Sequence, residues 1–518
     1  YRHFVQAAAD LVVSYGGSLT GEHGDGQARG ELLERMFGTR LMKAFGRFKA
    51  VWDPDGRMNP GKLIDPLPLD THLRQGADYR LPQWRTHFQF PQDQGSMARA
   101  TARCVGVGKC RREQGGTMCP SYKVTCEERH TTRGRARLLA EMLDGQLPDG
   151  WRDESVKQAL DLCLACKGCK RDCPAGVDIA TYKAEFLSHY YEKRRRPRHA
   201  YAFGLIHRWA RLGWRAAPAI NALNRTPGLS RLVKALTGMS PQRAVPAFAR
   251  QPFTRWFARR SQPRLDRPAV LLWPDTFTNY FQPEIARAAV QVLEAAGRRV
   301  VVPGAPVCCG RPLYDYGMLS AAKRLLRRTL DVLGPHLRDD VPVVVLEPSC
   351  AAVFRDELIN LFPDDPAARK LSALTFTMAQ YLRQHASGAS LPRSTDSVLL
   401  HGHCHQKAIM GMEDDLALLR ELGATVAAPD TGCCGMAGSF GFEKDHYEIS
   451  RAIGEQSLLP AVRATDGRTL VITDGFSCRE QVAQLTGRRP WHLAQVLAVW
   501  LNDRADANGS ADTPSARG

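Results

Sequence analysis

Four cysteines fall within eleven residues, at Cys163, Cys166, Cys169 and Cys173, and the last precedes Pro174. The spacing is C-x2-C-x2-C-x3-C-P. Three thiolates two residues apart converge on one cubane iron–sulfur cluster from a single short turn, and the fourth points away to ligate the other cluster of a pair. A structural zinc knuckle is the competing chemistry, but it wants C-x2-4-C pairs well separated along the chain. Adjacent cysteines followed by glycine occur twice farther on, at Cys308-Cys309-Gly310 and Cys433-Cys434-Gly435. Near the start, Glu22 and His23 stand among Gly21, Gly24 and Gly26. Glycines let backbone pass close to a ligand. An imidazole there has the right pKa to take a proton near neutrality, and a carboxylate can hold a divalent metal that acts as a Lewis acid.

The elements that must position these groups follow from periodicity. Residues 1–14 read as a helix that stops at Gly16-Gly17. A longer amphipathic helix carries Leu32, Leu33, Met36, Phe37, Leu41, Phe45 and Phe48 at helical spacing. It closes near Asp53-Pro54-Asp55-Gly56, and Asn59-Pro60-Gly61-Lys62 forms a second tight turn. GEHGDG, the helix after it and the closing NPGK together resemble the C-terminal end of the FAD-linked oxidase family, which oxidises 2-hydroxy acids. The resemblance covers residues 1–65. It implies that His23 is the base or hydrogen-bond donor at the substrate hydroxyl. It implies that Glu22 helps hold a divalent metal, and that Gly24 and Asn59 lie on the cofactor side. The family's flavin-binding domain precedes this end, so the chain is expected to be a fragment holding one wall of such a site.

Residues 66–100 carry Pro66, Pro68, Pro82 and Pro91 with little periodicity and read as a linker. Cys104, Cys110, Cys119-Pro120 and Cys126 follow. With the run at 163–173 they resemble a two-cluster ferredoxin domain over 101–184, implying two [4Fe-4S] clusters. By the exchange rule Cys119 joins Cys163, Cys166 and Cys169, and Cys173 joins Cys104 and Cys110. The second set is one ligand short, because no cysteine stands near Gly106 or Val107. Cys126, a three-iron cluster or a non-cysteine ligand would each satisfy the count.

From 193 to 267 there are eighteen Lys plus Arg against one acid, Asp266, so this segment holds nearly all of the formal charge of +18. Tyr201, Phe203, Trp209, Trp214, Phe248 and Phe253 are interleaved. Basic and aromatic residues on helices over 185–267 suit an anionic membrane surface. A basic collar over neighbouring domains competes with that reading. A nucleic-acid surface fits the charge, but no nucleic-acid motif accompanies it.

Two halves then repeat. Ala269–Pro274 matches Ser397–Gly402, Cys308 matches Cys433, and Cys350 matches Cys478, each about 125–128 residues apart. Strands alternating with helices imply a small parallel sheet in each half, with the cysteines at the carboxyl ends of the strands. The arrangement resembles the paired cysteine-rich CCG domains of heterodisulfide reductases and of the iron–sulfur subunits of glycolate oxidase and anaerobic glycerol-3-phosphate dehydrogenase. The second half, 385–502, has Cys404, Cys433, Cys434 and Cys478. The first, 268–384, has Thr276 in place of the first cysteine, leaving Cys308, Cys309 and Cys350. The resemblance implies a third cluster, and a redox-inert buried cysteine pair is the plain alternative. His401, His403 and His405 are a candidate ligand set or proton relay. A helix is expected from 491 to 502, with a disordered tail over 503–518.

Apolar residues at 44% and charged at 24% describe a multidomain globular chain of mixed α+β and α/β class. Clustered cysteines, with no apolar leader, point to a reducing cytoplasm, with the basic segment peripheral on the inner membrane face. The module order resembles the FAD and iron–sulfur D-2-hydroxyglutarate dehydrogenase type. That implies a 2-hydroxy acid (D-2-hydroxyglutarate, D-lactate or glycolate), FAD in the full-length protein, and a quinone or protein carrier as electron acceptor. A non-catalytic iron–sulfur sensing module and a zinc protein binding nucleic acid are the readings from other classes.

Overall fold

The computed structural model describes residues 1–73, 76, 79–260, 266–386 and 391–509. The chain divides into two compact units, Tyr1–Leu81 and Pro82–Gly518. The first unit holds helices Arg2–Ser14, Gly26–Gly30 and Leu33–Trp52 around a small core of Ala9, Leu32 and Leu69. Arg2 ties this core shut by pairing with both Glu31 and Asp70, and Glu31 also accepts the Leu69 N–H at 2.7 Å. The long helix breaks at Gly38, whose φ of 72° lies in the region open to glycine. Beyond the break the amphipathic stripe read from the sequence faces solvent at Leu41, Phe45 and Phe48.

In the second unit the segment expected to be a linker is largely packed chain. Phe88 and Phe90 are buried. The N–H groups of His87 and Phe88 donate to the Glu185 carboxylate, and those of Gln89 and Phe90 donate to Asn360. These partners lie far along the sequence, so local pattern could not show them. Helices Met97–Ala102, Thr132–Leu143, Glu154–Asp161 and Ile179–Tyr190 then build the cysteine-bearing helical domain.

The two repeated halves form two parallel sheets. The first has strands β1 (Ala269–Trp273), β2 (Arg299–Val301), β3 (Val343–Val345) and β4 (Thr375–Phe376) in the order β2-β1-β3-β4. The second has β5 (Ser397–Leu400), β6 (Thr425–Ala427) and β7 (Leu470–Ile472) in the order β6-β5-β7. Registers match across the repeat: Leu271 pairs with Val301 and Val343, and Val398 with Val426 and Leu470. The two-residue β4 has no strand signal in the sequence. Its counterpart in the second half is a single parallel bridge between Ile472 and Trp491.

The halves exchange their last helices. Met378–His385 of the first packs on Glu413–Glu421 of the second, and Leu493–Gly509 of the second packs on Pro283–Ala295 of the first. One apolar core therefore runs through both sheets, from Val270, Leu272 and Val344 to Leu400, Ile472 and Leu497. The final helix extends past the expected end at 502 to Gly509; the rest of the expected tail, 510–518, lies outside the described residues.

Candidate functional site

The 163–173 run is a turn held in a conformation that side chains rarely adopt. Ala165 has φ 50° and Lys167 φ 58°. Such left-handed residues cost energy and persist only where the surroundings fix them. Here the fixing group is Lys167 itself. Its buried ammonium donates to Asp178 at 2.9 Å, Thr181 at 3.2 Å and Asp356 at 2.7 Å, with Glu357 3.4 Å away. Burial alone would lower its pKa, but the three carboxylates win and hold it well above the ordinary lysine value. Gly168 is needed for another reason: a Cβ there would meet the Thr117 carbonyl carbon at 2.9 Å. The two cysteine segments are that close.

Cys163, Cys166 and Cys169 are buried, and Cys173 is half-buried. Burial pushes the Cys169 thiol up to about 12 and Cys166 well above its usual value. Thiols kept neutral by an apolar shell ionise when a metal takes the proton's place, which is the behaviour of a cluster site. Cys119 receives a hydrogen bond from the Thr132 N–H at 3.0 Å and contacts the Thr132 hydroxyl at 3.0 Å. It lies within electrostatic reach of Cys169, yet its thiol bonds to Cys110. Cys119 thus stands between the two expected sets. Cys104 and Cys110 share the field of Arg133. Cys126 is exposed at the end of helix Pro120–Thr125.

In the repeated halves the cysteines sit where expected, just past the carboxyl ends of the strands. In the second half the buried thiols of Cys404, Cys433, Cys434 and Cys478 neighbour one another as a chain, and His401 lies in the field of Cys434. In the first, Cys309 and Cys350 sulfurs are 2.9 Å apart and Thr276 donates to the Cys308 sulfur at 3.7 Å. The motif glycines explain themselves. Gly310 (φ 82°) and Gly435 (φ 88°) each donate their N–H to the preceding pair's first sulfur, at 3.4 and 3.5 Å. The donor set of the second half, four neighbouring buried thiols, fits an iron–sulfur group. The first half, with three thiols and a hydroxyl, fits one less well.

His401, His403 and His405 are all buried. His401 bonds to the Thr431 hydroxyl at 2.5 Å. The ring atoms of His403 and His405 and the sulfur of Cys404 come within 4.8 Å of one another. The His405 Nε2 is 2.9 Å from the Ala165 carbonyl, inside the 163–173 turn. Arg311 donates to that same carbonyl at 2.8 Å and pairs with Glu357. Leu164, Cys166, Cys404 and Cys433 belong to one buried cluster with Phe440 and Ile453. The structure therefore joins two cysteine systems that the sequence left separate. Lys167, Arg311, Asp178 and Glu357 were missed; the only signal was their position inside or directly beside cysteine motifs.

In the first unit Glu22 and His23 are exposed, 92% and 83% at the side chain, with Oε1 and Nε2 3.9 Å apart. Thr20 donates to Asp25 at 3.1 Å across their loop, and Gly24 (φ 74°) has nothing within 4 Å of where a Cβ would stand. Asn59, at φ 48°, begins the second turn.

Comparison with known proteins agrees with this layout. Residues 1–63 match the model of FAD linked oxidases, C-terminal domain. Residues 100–177 match the 4Fe-4S dicluster domain, and 275–355 and 398–483 match the cysteine-rich CCG domain. Lactate utilization protein A of Bacillus cereus is 31% identical over 183 residues, 33% of this chain and 73% of that protein. The chain belongs to the iron–sulfur proteins with paired CCG domains. D-2-hydroxyglutarate dehydrogenase of Escherichia coli is 27% identical over 94% of this chain and 52% of its own length. That of Pseudomonas putida is 29% identical over 95% and 52%. The chain spans about half the length of these dehydrogenases. Its modules are those of FAD-linked iron–sulfur oxidoreductases.

Proposed function

We propose that this chain is the electron-exit portion of an FAD-dependent D-2-hydroxy-acid dehydrogenase, with D-2-hydroxyglutarate, D-lactate or glycolate as substrate class and a quinone or protein carrier as acceptor. The observation that carries it is the shared burial of Cys166 and Cys404. A cysteine of the dicluster run and one of the CCG run lie in a single apolar cluster, bridged by Arg311 and His405 on the Ala165 carbonyl. A redox-inert packing role gives no reason for two thiol systems to meet.

Cys163, Cys166, Cys169, Cys119, Cys173, Cys104 and Cys110 would hold the two [4Fe-4S] clusters, and Cys404, Cys433, Cys434 and Cys478 a third. When bound, such clusters accept and release single electrons, which is what a two-electron flavin needs downstream. This chain's residues bury most of these thiols, leaving Cys104 and Cys173 half-buried, and fix the turn between the systems. In the whole protein, His23 would take the proton of the substrate hydroxyl and Glu22 would help hold a divalent metal. Gly24 and Asn59 would stand on the flavin side.

Anaerobic purification with iron and acid-labile sulfide counts tests this. At least about eight irons per chain with matching sulfide supports the dicluster assignment. A colourless protein holding zinc would overturn it. In the intact protein, Cys166→Ser and Cys434→Ser should leave oxidation with a flavin-level artificial acceptor while abolishing reduction of the natural one. Unchanged reduction of the natural acceptor would sink the relay.

A further inference from the structure

A cavity of about 220 Å³ opens between the two CCG halves and the basic segment. Its floor carries Cys308, Cys309, Cys350 and Cys404, two sulfur sets from two domains. Its walls are mostly apolar, and aromatic rings line one side. Phe248 stacks on Phe281 at 4.7 Å, Phe277 stacks on Phe476 at 4.2 Å, and Phe277 lies 6.0 Å from Phe281. Offset ring faces of this kind favour a flat π system.

We propose that this cavity binds a quinone-class ligand, a flat apolar ring bearing carbonyl oxygens. The inference rests on the electron-exit reading above. Sites for drug-sized ligands run roughly 300–1,000 Å³, and a cluster on Cys404 would take part of this smaller one, so it takes no more than a ring head with its tail outside. Charge excludes the hydroxy acid. Asp275, Asp315 and Glu347 line the cavity, and its one guanidinium, Arg311, is already paired with Glu357 and Asp315. An anion would meet acids and a spent cation. A carbonyl oxygen is provided for: the Ser477 hydroxyl, on the wall, accepts from the Gly438 N–H at 3.0 Å and keeps its own proton to donate.

The walls also say where the ligand comes from. Ile206 lines the cavity, and the same helix, Ile206–Gly213, exposes Trp209 and Leu212 beside Arg208 and Arg211. Apolar and cationic groups on one helix suit a lipid surface, where quinones dissolve. The couple balances: oxidation of a 2-hydroxy acid to a 2-oxo acid releases two electrons and two protons, and reduction of a quinone to its quinol takes up both.

The test is equilibrium binding of menadione to the intact, cluster-loaded, oxidised protein, so no turnover is needed. Saturable binding is expected, weakened at least tenfold by Val245→Trp and by Ile206→Trp, both on the wall, with iron content and cluster EPR unchanged. Menadione that fails to bind, or binds both variants as it binds the parent protein, overturns the proposal. Two variants guard against one that does not fold. If iron loading and hydroxy-acid oxidation by an artificial acceptor persist while menadione does not bind, this inference fails and the electron-exit reading stands. If iron is absent, that reading fails first.

Discussion

Thr276 occupies in the first CCG half the place that Cys404 holds in the second, and its hydroxyl donates to the Cys308 sulfur at 3.7 Å. A hydroxyl standing in for a thiolate leaves the first half with three sulfurs. Cys434→Ala is therefore expected to lower iron per chain and remove one EPR component. Cys308→Ala should leave the second half's iron in place. Equal iron loss in both variants would show that the halves share one cluster.

The motif glycines differ in how much they forbid. A Cβ at Gly435 would lie 2.2 Å from the Ser450 carbonyl oxygen, whereas at Gly310 the nearest atom, Leu325 Cδ2, is 3.7 Å away. Both have positive φ, which alone costs about 1–2 kcal/mol for an L side chain. Gly310→Ala should show that cost and little else. Gly435→Ala must also displace backbone, so its melting temperature should fall further. Equal shifts would mean that the Ser450 backbone yields freely.

Among the described residues only Lys167 pairs with all three carboxylates, Asp178, Asp356 and Glu357. Lys170 also reaches Asp178 and Asp356, and Arg311 reaches Glu357, from the edges. Lys167→Met should cost about 3–5 kcal/mol, because removing one partner leaves buried charge uncompensated. Thermal or denaturant unfolding of the loaded protein would show it. A loss under 1 kcal/mol would mean that Lys170 and Arg311 suffice.

Spacing made much of this site legible, because cluster ligation and duplication both leave local marks. The C-x2-C-x2-C-x3-C-P run, the two CCG pairs and the strands before them could be read directly. What spacing cannot show is long-range pairing. The Asp356 partner of Lys167 is 189 residues away. The Asn360 amide that accepts from Phe90 is 270 away. A proline-rich stretch without periodicity therefore read as a linker, although its backbone N–H groups are spoken for. The contact of Cys166 with the CCG cysteines was hidden for the same reason.

His446 gives a pH handle on the same interface. Burial would lower its pKa, but a hydrogen bond to Asp161 at 3.0 Å and the Glu443 carboxylate 3.2 Å away raise it to about 9. A raised folded-state pKa stabilises the native state fully below the unfolded value near 6.5. That contribution is lost as pH rises through 9. It is on the order of 3–4 kcal/mol at about 1.4 kcal/mol per pH unit. Stability should decline between about pH 6.5 and 9, and His446→Gln should flatten that slope. A parent slope unchanged in the variant would place the titration elsewhere.

The basic segment divides its charges between two tasks. Arg196 donates to the Tyr316 and Gly317 carbonyls, buried Arg243 to Gly441, and Arg260 pairs with Glu294. These hold the segment to the CCG halves, as a collar would. Arg208, Arg211, Arg215, Arg225 and Arg231 are exposed, beside outward-facing Leu212, Leu229, Leu232 and Leu236. No helix among the described residues is long and apolar enough to cross a membrane, so contact with lipid would be interfacial. Each basic group near an anionic surface contributes about 1 kcal/mol, and the screening length falls to about 3 Å in 1 M salt. The protein should sediment with anionic vesicles at low ionic strength and be released by salt. Leu212→Ser with Leu232→Ser should weaken binding without changing iron content. If vesicles bring down no protein at low salt, the exposed leucines face a protein partner and not a lipid surface.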